Sequence, residues 1–187
     1  MTHFALVTGN ENKWREAQRL LGRPLERVAL DVPEIQAATS REVAREKAAA
    51  AYAELGRPLI VEDAGLEFAA LGGFPGPFIK YWEQLGGLAS MCRALDGFGP
   101  GGRAATAVCV LAVATEAGVE VVEGRSDGTI ALAPRGANGF GWDAIFIPEG
   151  HERTFGEMSA AEKDALSHRR RAWEALAERG GAQGASE

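Results

Sequence analysis

The chain has 187 residues, 46% hydrophobic and 25% charged, an ordinary globular composition that excludes disorder and collagen-like structure. Its net charge of −6 disfavours a nucleic-acid partner, because such proteins carry an excess of Lys and Arg on one face. The longest apolar run, Ala104–Thr115, falls short of the roughly 20 residues that span a bilayer, and residues 4–7 are too few for a signal peptide. We therefore expect a cytoplasmic protein with no membrane partner.

The first half of the chain alternates short apolar runs with helical patterns. Apolar positions within 11–21 recur at helical spacing, and Gly22 follows them as a helix end. Thr39 and Glu42 have the spacing of a capping box at the start of an Ala-rich segment. The predicted elements are, in chain order, a strand over 4–7, a helix over 11–21, a strand over 27–30, a helix from Thr39 to near Gly56 and a strand over 58–61.

The second half contains more β-rich sequence. It predicts a loop over 72–77, a helix over 79–95, a loop over 97–102, a hairpin of 106–114 and 119–123, a strand over 129–133, a Gly-rich loop over 134–142 and a helical region after Ser159. We therefore predict an α/β domain over 1–179, with a mixed central β-sheet flanked by helices and a hairpin in a second lobe. Residues 180–187 are predicted to be a disordered tail.

Three patterns imitate functional motifs. Residues 97–102 match G-x-G-x-x-G but follow a helix instead of a strand, so they predict a loop. Residues 124–128 match the G-x-S-x-G elbow around Ser126, with Asp143 and His168 following in hydrolase order. The sequence after residue 128 predicts a strand, whereas the elbow requires a helix there. Residues 124–128 therefore predict a connection between strands. Cys92 and Cys109 lack metal spacing and predict buried free thiols.

A cradle for phosphate is predicted where the first strand becomes a helix. The N–H groups of a first helical turn lack intrahelical partners, and the helix dipole favours an anion there. Gly9 permits close approach, and Lys13 adds a full positive charge. The alternative from this segment alone is a capped helix with an exposed lysine. The cradle comprises Thr8, Gly9, Asn10, Glu11, Asn12 and Lys13.

Carboxylates end the third predicted strand. Glu62 and Asp63 are adjacent and point to opposite faces, so they rarely serve the same atom. Asp63 is the better candidate for a cleft because the small residue Ala64 follows it. Glu34 is a lone acid that would by itself predict solvated surface. Oxygen ligands of this kind suit Mg²⁺, which takes one or two carboxylates together with substrate phosphates.

Aromatic and basic residues mark the later part of the chain. Residues 140–143, Phe-Gly-Trp-Asp, place two aromatics and an acid in a Gly-rich loop, which predicts either a base-stacking platform or a satellite core cluster. Lys163 and His168 would face different directions on one continuous helix. A break at Ser167 would let both turn towards one cleft.

Together these segments resemble the inosine triphosphate pyrophosphatase family, whose members are also called XTP/dITP diphosphatases. The resemblance covers nearly the whole chain. One departure is Ala64, where bacterial members usually carry Ser. The motifs that support the resemblance are 8–13, 33–34, 61–66, 71–80, 139–146 and 161–169.

The resemblance implies a role for each matching position. Asp63 corresponds to the catalytic acid/base, and Glu34 with Asp63 to the Mg²⁺ ligands. Arg169 or His168 would donate a hydrogen bond to the 6-carbonyl of inosine or xanthine, which adenine lacks. The positions implied to bind substrate are Thr8 to Lys13, Lys47, Ala64, Lys80, Phe140, Gly141, Trp142, Asp143, Lys163, His168 and Arg169. All four lysines of the chain are among them.

The implied activity is hydrolysis of a non-standard purine nucleoside triphosphate (ITP, dITP or XTP) to the monophosphate and pyrophosphate by a homodimer. Three alternatives stay open from the sequence. One is a septum-inhibitor-type pyrophosphatase acting on modified pyrimidine nucleotides. The second is a serine hydrolase built on Ser126, and the third is a nucleotide-binding module without catalysis.

Overall fold

The computed structural model describes residues 4–99 and 101–183. The helices are α1 (Glu11–Leu21), α2 (Ser40–Leu55), α3 (Ile79–Ala94), α4 (Ala160–Leu166) and α5 (His168–Gln183). The strands are β1 (Ala5–Val7), β2 (Arg27–Val28), β3 (Leu59–Phe68), β4 (Pro75–Gly76), β5 (Ala104–Thr115), β6 (Gly118–Ile130) and β7 (Phe146–Pro148). Short 3₁₀ turns cover 69–71, 141–144 and 155–157.

Capping residues fix the ends of the first two helices as predicted. The side chain of Asn10 accepts hydrogen bonds from the N–H groups of Asn12 and Lys13, at 3.0 and 3.2 Å. Thr39 caps α2 by accepting from the Glu42 N–H at 3.2 Å. Both helices end at a glycine in the left-handed region, Gly22 and Gly56, each with φ of 62°. Glycine adopts this conformation without the penalty that a Cβ imposes.

The strands form a mixed sheet in the order β2-β1-β3-β5-β6-β7, with β4 paired to β3. β1 runs parallel to β2 and β3, with Leu6 opposite Arg27 and Ile60. β6 and β7 are antiparallel. The predicted mixed α/β fold is confirmed, and so is the hairpin of the fifth and sixth strands.

Contacts divide the chain into two compact units. Unit 1 contains the described residues of 1–64, 109–124 and 169–187, and unit 2 those of 65–108 and 125–168. Unit 1 has a core of Leu6, Ala17, Leu25, Ile60, Cys109, Leu111, Val122, Ala172 and Trp173. Unit 2 has a core that includes Phe68, Met91, Cys92, Phe146 and Phe155. The two cysteines are buried free thiols, as predicted.

Two strands are longer than their sequence patterns predicted. β3 continues to Phe68, so Glu62 and Asp63 lie inside it instead of at its carboxyl end. β6 runs unbroken through 124–128, so the predicted connection and the separate strand over 129–133 are wrong. Gly128 pairs with Pro148 of β7, and a Cβ there would collide with the Ile147 carbonyl oxygen. This glycine therefore permits a close approach of two strands, whereas its sequence pattern suggested a turn.

The C-terminal helical region is interrupted as the sequence suggested. α4 ends at Leu166, Ser167 is extended with φ −75° and ψ 146°, and α5 begins at His168. α5 continues to Gln183, so the first four residues of the predicted tail are helical, and 184–187 lie outside the described residues. None of the helices within 4–99 and 101–183 is long and apolar enough to cross a membrane.

Candidate active site

The turn between β1 and α1 is closed by its own polar side chains. Thr8 accepts a hydrogen bond from the Asn10 N–H at 3.1 Å, and Asn10 occupies the N–H groups of Asn12 and Lys13. A Cβ on Gly9 would meet nothing within 4 Å, so the backbone is open to an approaching group. The helix is thus capped, as the alternative proposed, and the phosphate cradle stays a prediction.

Lys13 turns inward instead of into solvent. Its ammonium lies 3.5 Å from the backbone carbonyl oxygen of Glu62 and 3.6 Å from the Glu62 carboxylate. The Lys13 side chain keeps 18% of its surface exposed, whereas that of Glu62 has none. The capped-helix alternative predicted an exposed lysine, and that prediction is wrong. The ammonium of Lys13, a residue of α1, contacts Glu62 in the buried strand β3.

Arg169 lies in a buried network with two carboxylates. Its guanidinium donates three hydrogen bonds to Glu62, at 2.9 to 3.1 Å, and one to Glu16. Burial alone would lower the pKa of Arg169, but the charges of Glu62 and Glu16 hold it well above its usual value. The side chain is 3% exposed. Glu62 and Glu16 thus fix the position of the Arg169 guanidinium, and its direct donation to a base stays a prediction.

Glu16 was not among the predicted site residues. It is 5% exposed and lies on the apolar face of α1 beside the fully buried Ala17. An acid on the buried face of an amphipathic helix needs a cation. The position of Glu16 among the apolar residues of α1 was therefore a signal in the sequence from which a buried ion pair could have been predicted.

Asp63 is a buried carboxylate with one unpartnered oxygen. It is 9% exposed, and its Oδ2 has no hydrogen-bond partner. Burial raises the pKa of Asp63, since the charged form loses hydration; Lys13, a hydrogen bond from Ser40 and Lys47 lower it, and Glu34 raises it further. Glu34 and Lys47 form an ion pair at 2.6 Å. Unit 1 therefore gathers the predicted Asp63, Glu34, Lys13 and Lys47, together with the unpredicted Ser40.

The donor set of this cluster suits a magnesium ion that is completed by substrate. No group of three or more His, Cys, Asp or Glu side chains that could hold a metal occurs within the described chain. Mg²⁺ needs only one or two carboxylates when phosphates and water supply the remaining oxygens. The unpartnered Oδ2 of Asp63 and the nearby carboxylate of Glu34 provide such ligands.

A second cluster lies in unit 2 around Asp143. Its Oδ2 accepts from the Lys163 ammonium at 2.6 Å and from the Phe140 N–H at 2.8 Å. Lys163 is 3% exposed, and its ammonium lies 4.8 Å from the centroid of the Phe140 ring. A Cβ on Gly139, whose φ is +72°, would collide with the Asp143 carboxylate. The acid thus fixes both the loop and the lysine.

The two aromatics of the Phe-Gly-Trp-Asp segment differ in accessibility. Trp142 is 8% exposed and belongs to the core of unit 2, with its ring 5.2 Å from that of the buried His168. Phe140 is only half-buried. Trp142 thus fits the core-cluster alternative, and Phe140 is the more accessible of the two rings.

The structure places the predicted site residues in two groups. Those in unit 1 are Thr8 to Lys13, Glu34, Lys47, Asp63, Ala64 and Arg169, and those in unit 2 are Lys80, Phe140 to Asp143, Lys163 and His168. Lys80 is exposed near the start of α3. A serine hydrolase built on Ser126 is excluded, because that buried hydroxyl donates to the Leu166 carbonyl at 2.8 Å and Asp143 is held by Lys163.

These features define a mixed α/β protein with a carboxylate–lysine cluster in one unit and an aromatic–cation cluster in the other. A family model described as "Ham1 family" matches residues 4–179. The chain belongs to the Ham1 family, which confirms the family predicted from the motifs.

Named relatives and solved structures agree with this assignment. The chain is 45% identical over 175 residues to "Inosine triphosphate pyrophosphatase 2" of Trypanosoma cruzi, covering 91% of this chain and 88% of that one. It is 42% identical over 176 residues to the "dITP/XTP pyrophosphatase" of Methanopyrus kandleri, covering 92% and 93%. Its fold matches the structure of a HAM1 protein from Coxiella burnetii with a TM-score of 0.82 and 33% identity, covering 97% of this chain and all of that one (100%).

Proposed function

We propose that the protein hydrolyses non-standard purine nucleoside triphosphates (ITP, dITP and XTP) to the nucleoside monophosphate and pyrophosphate. The observation that carries the proposal is the buried Asp63 carboxylate, with one oxygen unpartnered and two lysines close enough to lower its pKa. The printed names of the relatives, inosine triphosphate pyrophosphatase and dITP/XTP pyrophosphatase, supply the substrate class.

Unit 1 supplies the groups for the triphosphate. Lys13 and Lys47 bring positive charge to the triphosphate part of the substrate, where negative charge builds on the departing pyrophosphate. Asp63 accepts a proton from the attacking water. Burial raises the pKa of Asp63, which brings a carboxylate closer to the basicity that general-base catalysis requires.

A magnesium ion completes this part of the proposal. Asp63 and Glu34 would hold it, because both offer carboxylate oxygens in the same cluster. When bound, the ion supplies charge neutralisation and polarisation of water and phosphate oxygens. To hold the ion, Glu34 would leave its ion pair with Lys47. The Lys47 ammonium would then be able to contact phosphate.

Phe140 and Lys163 are the residues proposed to act on the nucleobase. The half-buried Phe140 ring offers a face for stacking, and the Lys163 ammonium beside it is a cationic donor. Inosine and xanthine carry a carbonyl at the purine 6-position, where adenine carries an amino group. A buried donor discriminates between these bases because the wrong base leaves it unpaired. Arg169 supports the reaction indirectly, by holding the Glu62 side chain that in turn contacts Lys13.

A pyrophosphate-release assay over ITP, XTP, dITP, ATP, GTP and UTP, with Mg²⁺ or with EDTA, tests the proposal. We expect release from the non-standard purines in the presence of Mg²⁺ and none in EDTA. Preference for UTP or modified pyrimidines would favour the septum-inhibitor type, and binding of ITP without release would identify a non-catalytic module. The homodimer and the cytoplasmic location stay predictions from the sequence.

A further inference from the structure

A surface pocket in unit 1 lies at the C-terminal end of α1 and has a volume of about 470 Å³. The residues that line it, which we call the arginine pocket, are Arg15, Gln18, Arg19, Gly22, Arg23 and Pro24. Three of these six residues are cationic and none is acidic, although the net charge of the chain is −6. The charge of a cleft depends on the groups near it, so this pocket is a candidate site for an anion.

The end of the helix brings the three arginines together. Arg15 and Arg19 are four residues apart in α1, so their side chains are neighbours one turn apart. Gly22 ends the helix with a φ of 62°, and Arg23 lines the same pocket from beyond this turn. Lys13 and Arg15 are two residues apart on the helix, so they point in directions about 160° apart. Arg15 therefore faces away from the carboxylate–lysine cluster that contains Lys13.

One wall of the arginine pocket is fixed to α1 through the backbone of Leu25. The indole N–H of Trp14 donates to the Leu25 carbonyl oxygen at 2.7 Å, and the Leu25 N–H donates to Oε1 of Gln18 at 3.2 Å. Leu25 is buried in the core of unit 1, and the ring of Pro24 restricts the backbone before it. These bonds hold the segment that carries Arg23. They also occupy the oxygen of Gln18, so its amide NH2 is the polar group that it can offer to an anion.

The acidic partners of the first two arginines hold them only loosely. Arg15 pairs with Glu11 at 2.6 Å, and both side chains are more than half exposed. Arg19 lies 3.8 Å from Glu16, an acid that also accepts a hydrogen bond from Arg169. Exposed ion pairs contribute little because water and salt screen them. An anion can therefore recruit both guanidinium groups at little cost.

The chemistry of the guanidinium group and the size of the pocket indicate the class of anion. The planar guanidinium fork forms paired, charge-assisted hydrogen bonds with phosphate oxygens. The volume of about 470 Å³ falls within the range of about 300–1,000 Å³ typical of small-molecule sites, so it can hold more than a single phosphate. Three neighbouring cations suit an anion whose charges are spaced along a chain.

We propose that the arginine pocket binds an anion with two or more linked phosphates, either free polyphosphate or the phosphates of a nucleotide. The proposal assigns the pocket no step in hydrolysis. It is independent of the proposed function, because none of the three arginines is placed among the residues that act on the substrate.

Isothermal titration calorimetry of the full chain with tripolyphosphate, in EDTA, tests the proposal. The pocket variant is Arg15→Gln/Arg23→Gln, which leaves Arg19 in place. It should bind tripolyphosphate about tenfold or more weakly than wild type, because charge-assisted hydrogen bonds to phosphate are lost. Tripolyphosphate bound at the carboxylate–lysine cluster would be retained in this variant, so the number of molecules bound distinguishes the two sites.

The matched control is Arg41→Gln/Arg57→Gln. It changes the net charge by the same amount and removes two arginines that pair with Glu123 and Glu26 instead of lining the pocket. Its affinity for tripolyphosphate should stay within about twofold of wild type, because distant exposed charges are screened.

Nuclear magnetic resonance provides a readout that needs no substitution for its effect. The side-chain Nε–H signals of Arg15, Arg19 and Arg23 should shift as tripolyphosphate is added to the wild-type chain, whereas that of Arg57 should not. ATP and orthophosphate, titrated in the same way, identify the ligand more closely. Tighter binding of ATP than of tripolyphosphate would support a nucleotide, and the reverse order would support free polyphosphate.

Several results would overturn the proposal. One is an unchanged affinity in the pocket variant, or the absence of shifts at the three arginines. Equal losses in the pocket variant and the control would assign the effect to net charge. Orthophosphate bound as tightly as tripolyphosphate would contradict a site for linked phosphates, and binding of a single-stranded oligonucleotide without tripolyphosphate would assign the surface to nucleic acid. None of these results depends on pyrophosphate release from ITP, so a failure of the proposed function is recognised separately.

Discussion

Removing the guanidinium of Arg169 should destabilise the protein far more than removing an exposed arginine of similar geometry. Arg169 is 2% exposed and lies between the buried carboxylates of Glu62 and Glu16. In Arg169→Ala both acids stay buried without this cation. Arg57 is the control, because it makes a two-pronged ion pair with Glu26 at 2.6 and 3.0 Å but on an exposed surface.

The size of the effect follows from burial. Removing one partner of a buried ion pair costs about 3–5 kcal/mol, against a total stability of about 5–15 kcal/mol for a typical domain. For a chain of 187 residues, 1 kcal/mol corresponds to about 2–4 °C in melting temperature. Arg169→Ala should therefore melt about 6–20 °C below wild type. Arg57→Ala should melt close to wild type, because exposed pairs are screened by water and salt.

Thermal unfolding followed by circular dichroism at neutral pH measures both variants. Equal melting temperatures for Arg169→Ala and Arg57→Ala would refute the argument from burial. The hydrolysis of ITP and ATP by Arg169→Ala then tests the supporting role proposed for this residue. A supporting role predicts similar fractional losses with both nucleotides. A loss confined to ITP would instead favour direct recognition of the base by Arg169.

Three further predictions concern single side chains. Asp63→Asn should abolish most pyrophosphate release while keeping or raising the melting temperature, because it removes a buried charge with an unpartnered oxygen; wild-type turnover in this variant would exclude a catalytic role. Ser126→Ala should lose about 1 kcal/mol of stability with its bond to the Leu166 carbonyl, and hydrolysis should be retained, whereas a catalytic serine would lose it. A hydrogen bond from Arg153, together with hydrogen bonds from the backbone and side chain of Ser159, lowers the pKa of Glu162 from 4.5 to about 2. Glu162 therefore contributes stability that is present above pH 4.5 and lost as the pH falls towards 2. The difference in melting temperature between wild type and Glu162→Gln should shrink over that window, and a constant difference would contradict the shifted pKa.

Local signals in the sequence were sufficient where the neighbouring residues alone determine the structure. The cap at Thr39 satisfies the N–H group of Glu42, three residues away, so its spacing was enough to place the start of α2. The apolar spacing within 11–21 was enough to place α1. The break at Ser167 could be anticipated from the incompatible directions of Lys163 and His168 on one helix. The motifs around Asp63 and Asp143 were recognised by resemblance.

Contacts between distant segments could not be deduced in this way. Gly128 looked like a turn residue, but its small size serves the approach of Ile147 from β7. Arg169 looked like an available donor, but Glu62 and Glu16, 107 and 153 residues earlier, surround it. In each case the deciding partner is remote in sequence, and no periodicity connects the two positions.

The pairing of the lysines is compatible with the proposed site for a polyanion in an acidic protein. Within the described chain, Lys13 contacts Glu62, Lys47 contacts Glu34, and Lys163 contacts Asp143. Each carboxylate holds its ammonium in place and neutralises it, so the lysines are positioned before substrate arrives and repel one another little. Lys163 and Asp143 are almost fully buried, whereas Lys47 and Glu34 retain 22% and 33% exposure. Because water and ions reach only the second pair easily, phosphate can compete for Lys47 at much lower cost than for Lys163. The exposed pair therefore fits exchange with a triphosphate, and the buried pair fits a fixed donor for the base.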